Sequence, residues 1–127
     1  MHENRIGYII VDRAVKLHMA TGPGLFESVY EALLEKQLLG DGLFVERQVV
    51  IPISINGLQL KEGFRADLVI ERKVIIELKS IETVHPSHQK QLLTYLKLSN
   101  IKLGYLLNFG APRMKDGITR TINGHIS

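Results

Sequence analysis

The sequence predicts an α/β fold in which helices cover a central mixed sheet of four or five strands. Apolar residues recur at helical spacing from residue 3 to residue 39, and a β-rich segment with an Asn-Gly turn follows. The order strand, helix, strand closes the chain, and such a crossover places its two strands parallel. With 127 residues, the chain is expected to form a single domain, residues 1–127.

The N-terminal part predicts two helices. The first spans residues 3–20 and ends at a Thr-Gly-Pro-Gly stretch. The second spans residues 24–39 and ends at Gly-Asp-Gly. In this second helix Glu27, Glu31 and Glu35 are four residues apart and share one face. For Glu31 and Glu35 we expect a solvent-exposed acidic stripe.

The middle of the chain predicts antiparallel strands. A strand over residues 43–55 contains Pro52, which suits an edge strand or a bulge. Asn56-Gly57 then predicts a two-residue turn, because both residues accept the positive φ of a type I′ turn. A short partner strand, residues 58–61, should lead into a further hairpin.

This further hairpin, FRADLVIERKVIIELKS, carries three charged side chains of interest. If a three-residue loop joins its arms, Asp67 lies opposite Glu77, and Lys79 shares their face. The opposite face would then be core, with Ala66, Leu68, Ile70, Val74, Ile76 and Leu78. A two-residue turn would instead move Asp67 to the other face. The loop Glu71-Arg72-Lys73 contains neither Gly nor Asn, so the sequence leaves both registers open.

The C-terminal part predicts the crossover. A helix should begin at Pro86 and end near Ser99, and within it Gln91 and Tyr95 share a face. A mostly apolar strand over residues 103–109 and a short strand over residues 118–122 should follow.

Composition limits the chemistry that is available. The chain has no cysteine, which excludes disulfides and thiolate zinc sites. It has no apolar run of membrane-spanning length and no signal-peptide pattern, so we expect a cytoplasmic protein without a membrane partner. The net charge of +3 permits a polyanionic partner without requiring one.

The order Asp67, Glu77-x-Lys79 and Gln91-x-x-x-Tyr95, on strand, strand and helix, resembles the PD-(D/E)xK nuclease superfamily in its RecB-like form. The resemblance implies a restriction-endonuclease-like core. Without this context, Asp67 and Glu77 would more simply form structural ion pairs on a solvent-facing sheet. The ordered motif favours a site instead.

The Gly24-x-x-Glu27 pair resembles the opening of the small GxxExxxR proteins of that superfamily. Two departures stand out. Arg65-Ala66 replaces the proline that precedes the acidic residue in the superfamily's name, and Glu31 occupies the place of the named arginine. Any role tied to that arginine is therefore open in this chain.

The resemblance implies a nuclease that uses Mg²⁺ or Mn²⁺ and acts on nucleic acid, with DNA favoured over RNA. Asp67, Glu77 and Glu27 would be the metal ligands, and Asp67, Glu77 and Lys79 the catalytic residues. Carboxylates suit the chemistry, because Mg²⁺ takes hard oxygen ligands and can activate water. Substrate-positioning roles fall to Gln91 and Tyr95. The small size favours a homodimer. The alternatives are a non-catalytic module that binds nucleic acid or protein, and a structural oligomer with an incidental acidic cluster.

Overall fold

The computed structural model describes residues 1–127, with the side chain of Glu62 excepted. Its helices are α1 (Glu3–Thr21), α2 (Glu27–Gly40) and α3 (Pro86–Ser99). Its strands are β1 (Val45–Ile55), β2 (Leu58–Ile70), β3 (Val74–Lys79), β4 (Leu103–Asn108) and β5 (Ile118–Ile122), and a 3-10 turn, η1 (Met114–Gly117), precedes β5. Along this described chain, none of the helices combines the length and the apolar character needed to cross a membrane.

The five strands form one sheet in the order β1-β2-β3-β4-β5. Neighbouring strands are antiparallel except β3 and β4, which are parallel. The crossover between those two strands is α3, as the strand-helix-strand pattern predicts. The predicted α/β fold with a mixed sheet is confirmed, and it agrees with a restriction-endonuclease-like core.

Both N-terminal helices pack on one face of the sheet. Their buried side chains recur every three or four residues, namely Ile6, Ile10, Ala14 and Leu17 in α1 and Tyr30, Leu34 and Leu38 in α2. The helix α2 begins at Glu27, three residues later than predicted. Side chains from elsewhere hold the backbone of Leu25 outside the helix. Ser80 Oγ donates to the Leu25 carbonyl at 2.6 Å, and Tyr30 Oη accepts from the Leu25 N–H at 3.2 Å.

Both faces of the sheet are covered. Leu68, Ile70, Val74, Ile76 and Leu78 pack toward α1 and α2, as predicted. The other face, predicted to carry the site, is a second core over much of its area. Phe64, Ala66, Val69, Ile75, Leu92, Leu96 and Leu106 pack there beneath α3. The prediction that Ala66 and Leu68 share a face was wrong. Ala66 packs beneath α3 and Leu68 packs toward α1 and α2, because the alternation of side chains between the two faces is broken at Asp67, the residue between them.

The hairpin of β2 and β3 has the register that was expected to place Asp67 opposite Glu77. Ile70 pairs with Val74, so the loop has three residues. Glu71 and Arg72 both take a φ of 54°, a conformation that non-glycine residues rarely adopt. Two hydrogen bonds to the backbone of Phe44 hold this loop. The Glu71 N–H donates to the Phe44 carbonyl at 2.8 Å, and Glu71 Oε2 accepts from the Phe44 N–H at 2.6 Å.

The hairpin of β1 and β2 extends beyond the rest of the sheet. Its Asn56-Gly57 turn has φ values of 51° and 80°, as predicted. The expected short strand over residues 58–61 is not separate, because β2 continues unbroken to Ile70. Gly63 allows this continuation, since a Cβ there would overlap the side chain of Ile53 and lie 2.9 Å from the Ile51 carbonyl.

Candidate active site

Asp67 lies in β2 where the pairing with β1 is interrupted. The residue opposite, Gln48, has a φ of 54° and is skipped between two regular pairs of the ladder. Asp67 Oδ2 accepts the backbone N–H of Leu78 at 2.8 Å, and Gln48 Nε2 lies 3.4 Å from Oδ1. The carboxylate is therefore directed at the neighbouring strand β3, close to Glu77.

Glu77 lies near the end of β3 and is mostly buried. Its Oε1 atom is buried and has no hydrogen-bond partner among the described residues. Burial, and secondly the charge of Asp67, raise the pKa of Glu77 to about 8. A buried carboxyl without a partner is costly in a folded protein, so this atom marks a place where a ligand would be accommodated.

Lys79 is the last residue of β3 and is partly exposed on the same strand face as Glu77. The strand end around it is rigidly held. The Phe109 N–H donates to the Lys79 carbonyl at 2.8 Å. Asn108, only 3% exposed, exchanges hydrogen bonds of 3.1 and 2.9 Å with the backbone of Ile81. These contacts anchor the segment that presents the lysine.

Glu27 opens α2 and is exposed. Its Oε1 atom accepts the Ser80 N–H at 3.3 Å, one residue beyond Lys79. Leu25, Phe26, Glu27, Ser28 and Ser80 line a cleft of about 450 Å³. No three Asp, Glu or His residues of the described part of the chain form a group that could hold a metal ion. Asp67 and Glu77 are thus brought together, while Glu27 lies at the neighbouring cleft.

Glu31 is buried, which contradicts the expected exposed stripe. Its Oε2 accepts from Arg47 Nε at 2.5 Å and its Oε1 from Gln48 Nε2 at 2.7 Å. Glu35 joins the same group with a carboxylate oxygen 3.8 Å from Arg47 Nη1. Because Gln48 also approaches Asp67, this network braces the site from the α2 side.

Gln91 and Tyr95 lie on α3, which covers the Glu77 face of the sheet. The ring of Tyr95 stacks on Phe64 with centroids 3.9 Å apart and planes 6° from parallel. Burial, followed by the charges of Glu77 and Asp67, raises the pKa of Tyr95. Tyr95 therefore lies on the side of the sheet that carries the carboxylate pair. Gln91 is exposed one helical turn away.

Comparison with known proteins decides the family. A family model described as the PD-(D/E)XK nuclease superfamily matches residues 4–121, nearly the whole chain. The chain belongs to the PD-(D/E)XK nuclease superfamily.

This superfamily member is also similar to a solved structure, the crystal structure of SSO0001. The two are 27% identical and superpose with a TM-score of 0.53 over 80% of this chain. The chain spans about half the length of that relative, since the match covers 52% of it. No curated protein matches the chain.

The donor set of this PD-(D/E)XK chain fits the divalent metals that the superfamily typically uses. Two adjacent carboxylates, Asp67 and Glu77, offer hard oxygen atoms, and one of these atoms lacks any partner among the described residues. A divalent cation would also favour the charged form of Glu77 against the burial and the charge of Asp67 that raise its pKa. With only two clustered carboxylates, the cation would keep several water ligands.

The sequence analysis missed four residues that support the site, namely Arg47, Gln48, Phe64 and Asn108. Asn108 had a visible signal, because it is the one polar residue within the apolar run LGYLLNF. Phe64, Arg47 and Gln48 had none, because their roles depend on partners from distant parts of the chain.

Proposed function

We propose that the protein is a divalent-metal-dependent nuclease that hydrolyses phosphodiester bonds, in DNA rather than RNA. The observation that carries the proposal is the buried, unpartnered carboxyl oxygen of Glu77 beside Asp67, on the strand that ends with Lys79. Buried polar atoms in proteins usually have a partner, and a bound cation would supply one for Glu77 Oε1. The resemblance of Gly24-x-x-Glu27 to the opening of the GxxExxxR proteins supports membership of that group as part of this proposal.

Each side chain has a distinct proposed role. Asp67 and Glu77 hold the metal, with Glu27 as a further ligand from the cleft side. When bound, Mg²⁺ or Mn²⁺ supplies charge stabilisation for phosphoryl oxygens and a more acidic water. The Lys79 ammonium orients the attacking water and offsets the negative charge that develops on the phosphate. Gln91 and Tyr95 position the substrate from α3.

The structure supports the proposed substrate-positioning role of Tyr95. Its ring is held between α3 and β2 by the parallel stack on Phe64, so the phenol has little rotational freedom. Its hydroxyl can donate a hydrogen bond to a phosphate oxygen or to a metal-bound water near Glu77. Gln91, with an amide that both donates and accepts, lies on the solvent side of this position.

The experiment is a cleavage assay on single- and double-stranded DNA and RNA with Mg²⁺, Mn²⁺ or EDTA. We expect cleavage that requires metal and that Lys79→Ala, Asp67→Asn and Glu77→Gln each reduce at least about 100-fold. Lys97→Ala, in the exposed last turn of α3, is the matched control and should retain full activity. Binding without cleavage by the wild-type chain would refute the enzyme and favour a non-catalytic module.

Metal binding has its own test. Calorimetric titration with Mn²⁺ should show binding by the wild-type chain, and Glu77→Gln should weaken it strongly. Glu27→Gln should weaken it less, because Glu27 lies outside the carboxylate pair. Absence of binding to the wild-type chain would exclude the metal-dependent mechanism.

A homodimer completes the proposal. Large apolar side chains are exposed on the extended hairpin of β1 and β2, namely Val50, Ile55, Leu58 and Leu60. A second copy would cover them and enlarge the surface available to a long substrate. Light scattering after gel filtration should give twice the mass of one chain, and a monomer across the micromolar range would reject the dimer.

A further inference from the structure

Phe26 is the most exposed of the large apolar residues described in the chain, at 82% of its surface. Its backbone is nonetheless well held. The Phe26 carbonyl accepts the N–H groups of Val29 at 3.0 Å and Tyr30 at 3.3 Å, and the neighbouring Leu25 carbonyl is bound by Ser80. The ring is therefore presented to solvent from a rigid position at the start of α2.

Phe26 also differs from the other phenylalanines in having free ring faces. Phe64 stacks on Tyr95, Phe109 stacks on Tyr30, and the ring of Phe44 lies 5.4 Å below the Arg72 guanidinium. Within the described part of the chain, no aromatic ring or guanidinium covers Phe26. An exposed ring with both faces free offers a stacking platform for a planar ligand.

The surroundings of the ring indicate what kind of ligand would stack there. Phe26 lines the 450 Å³ cleft together with Glu27 and the hydroxyl residues Ser28 and Ser80. This volume lies within the range of about 300–1,000 Å³ that is usual for small-ligand sites. Ser80, the residue after Lys79, lines the cleft, so the cleft adjoins the strand end that carries the proposed catalytic lysine. The Ser28 hydroxyl can donate a hydrogen bond to a sugar-phosphate oxygen, and the aromatic ring can stack on the base.

We propose that Phe26 stacks on a nucleobase and that the substrate is therefore single-stranded or frayed nucleic acid. The inference rests on the proposed nuclease function and adds the strand preference. In a duplex, each internal base has both faces covered by its neighbours, and a ring on the protein surface cannot reach them. A single strand presents its bases freely, and stacking on an aromatic side chain tolerates any sequence.

The expected size of the effect follows from base stacking on aromatic side chains. Such stacking corresponds to about 5- to 150-fold in affinity for each base. Loss of the ring should therefore weaken single-strand binding by a factor in this range. Binding to a blunt duplex should weaken much less, because only its terminal base pairs offer a free ring face to Phe26.

The test measures binding of the full chain to 2-aminopurine oligonucleotides in Ca²⁺, with single strands and blunt duplexes compared. Wild-type protein should quench or shift the 2-aminopurine fluorescence of the single strand. Phe26→Ala and Phe26→Leu should lose this signal and the single-strand affinity, while Phe26→Trp should keep both. The matched control is Tyr8→Ala, which removes a ring that is 65% exposed on α1.

Two outcomes would overturn the inference. One is equal single-strand affinity for wild type and Phe26→Ala, and the other is an equal loss for single strands and duplexes. The cleavage assay separates this failure from failure of the proposed function. Cleavage that is intact and indifferent to Phe26 overturns only the stacking role, whereas absence of cleavage with Phe26-dependent binding overturns only the nuclease.

Discussion

The carboxyl of Glu77 should make the stability of the metal-free protein depend on pH. Its pKa is about 8 in the folded chain, against an ordinary value of 4.5. Between these two values the unfolded chain has released a proton that the folded chain still holds. The free energy of unfolding therefore falls as pH rises from 4.5 to 8, and it levels off above pH 8.

The magnitude follows from the same two values. One pKa unit corresponds to about 1.4 kcal/mol. Ionisation of Glu77 therefore costs the folded chain at most about 5 kcal/mol above pH 8, a large fraction of the stability of a small domain. Glu77→Gln removes the ionisable group and retains its shape. The variant should match wild type near pH 4.5 and exceed it increasingly toward pH 8.

The assay is urea or thermal unfolding in EDTA at intervals from pH 4.5 to 9. Each kcal/mol should shift the Tm by about 3–6 °C for a chain of this size. Glu82→Gln, at an exposed position, is the control and should follow the wild-type curve. Parallel curves for wild type and Glu77→Gln across this range would refute the reasoning.

Three other substitutions test the packing around the site. Phe64→Leu removes the stack on Tyr95. Turnover should fall about 10-fold, while the Mn²⁺ affinity measured by calorimetry should stay unchanged. Weakened Mn²⁺ binding would contradict the role of Phe64 in positioning Tyr95. Phe109→Ala, at a fully buried ring, should cost about 3–5 kcal/mol in urea unfolding, and a cost below about 1 kcal/mol would contradict its place in the core. Gly63→Ala should cost about 1–3 kcal/mol, because its Cβ overlaps Ile53; unchanged stability would show that the hairpin relaxes freely.

Much of the architecture follows from the sequence because it depends on local patterns. Apolar spacing predicted all three helices, and β-branched runs with turn residues predicted the strands and the crossover. The helix over Pro86–Ser99 begins where Pro86 and the capping His85 place it. The ordered acidic and lysine motif likewise indicates the superfamily without any knowledge of the tertiary arrangement. These features are properties of neighbouring residues, so a single sequence carries them.

The register of the central hairpin required tertiary contacts. Glu71 and Arg72 adopt a positive φ that their own side chains disfavour. The hydrogen bonds with Phe44 offset that cost, and Phe44 lies 27 residues earlier in the chain. No local pattern could reveal such a partner. The convergence of Asp67 and Glu77 therefore depends on the fold rather than on the turn sequence.

Burial of the charged residues was also decided by the tertiary structure. Alternation along a strand shows which side chains share a face, but a distant helix determines whether that face meets solvent. Thus α3 covers the Glu77 side and raises the pKa of that carboxyl, while Arg47 from β1 allows Glu31 to be buried. The sequence by itself determined the elements and the order of the charged groups. Their desolvation, on which the proposed chemistry depends, arises only when the layers pack together.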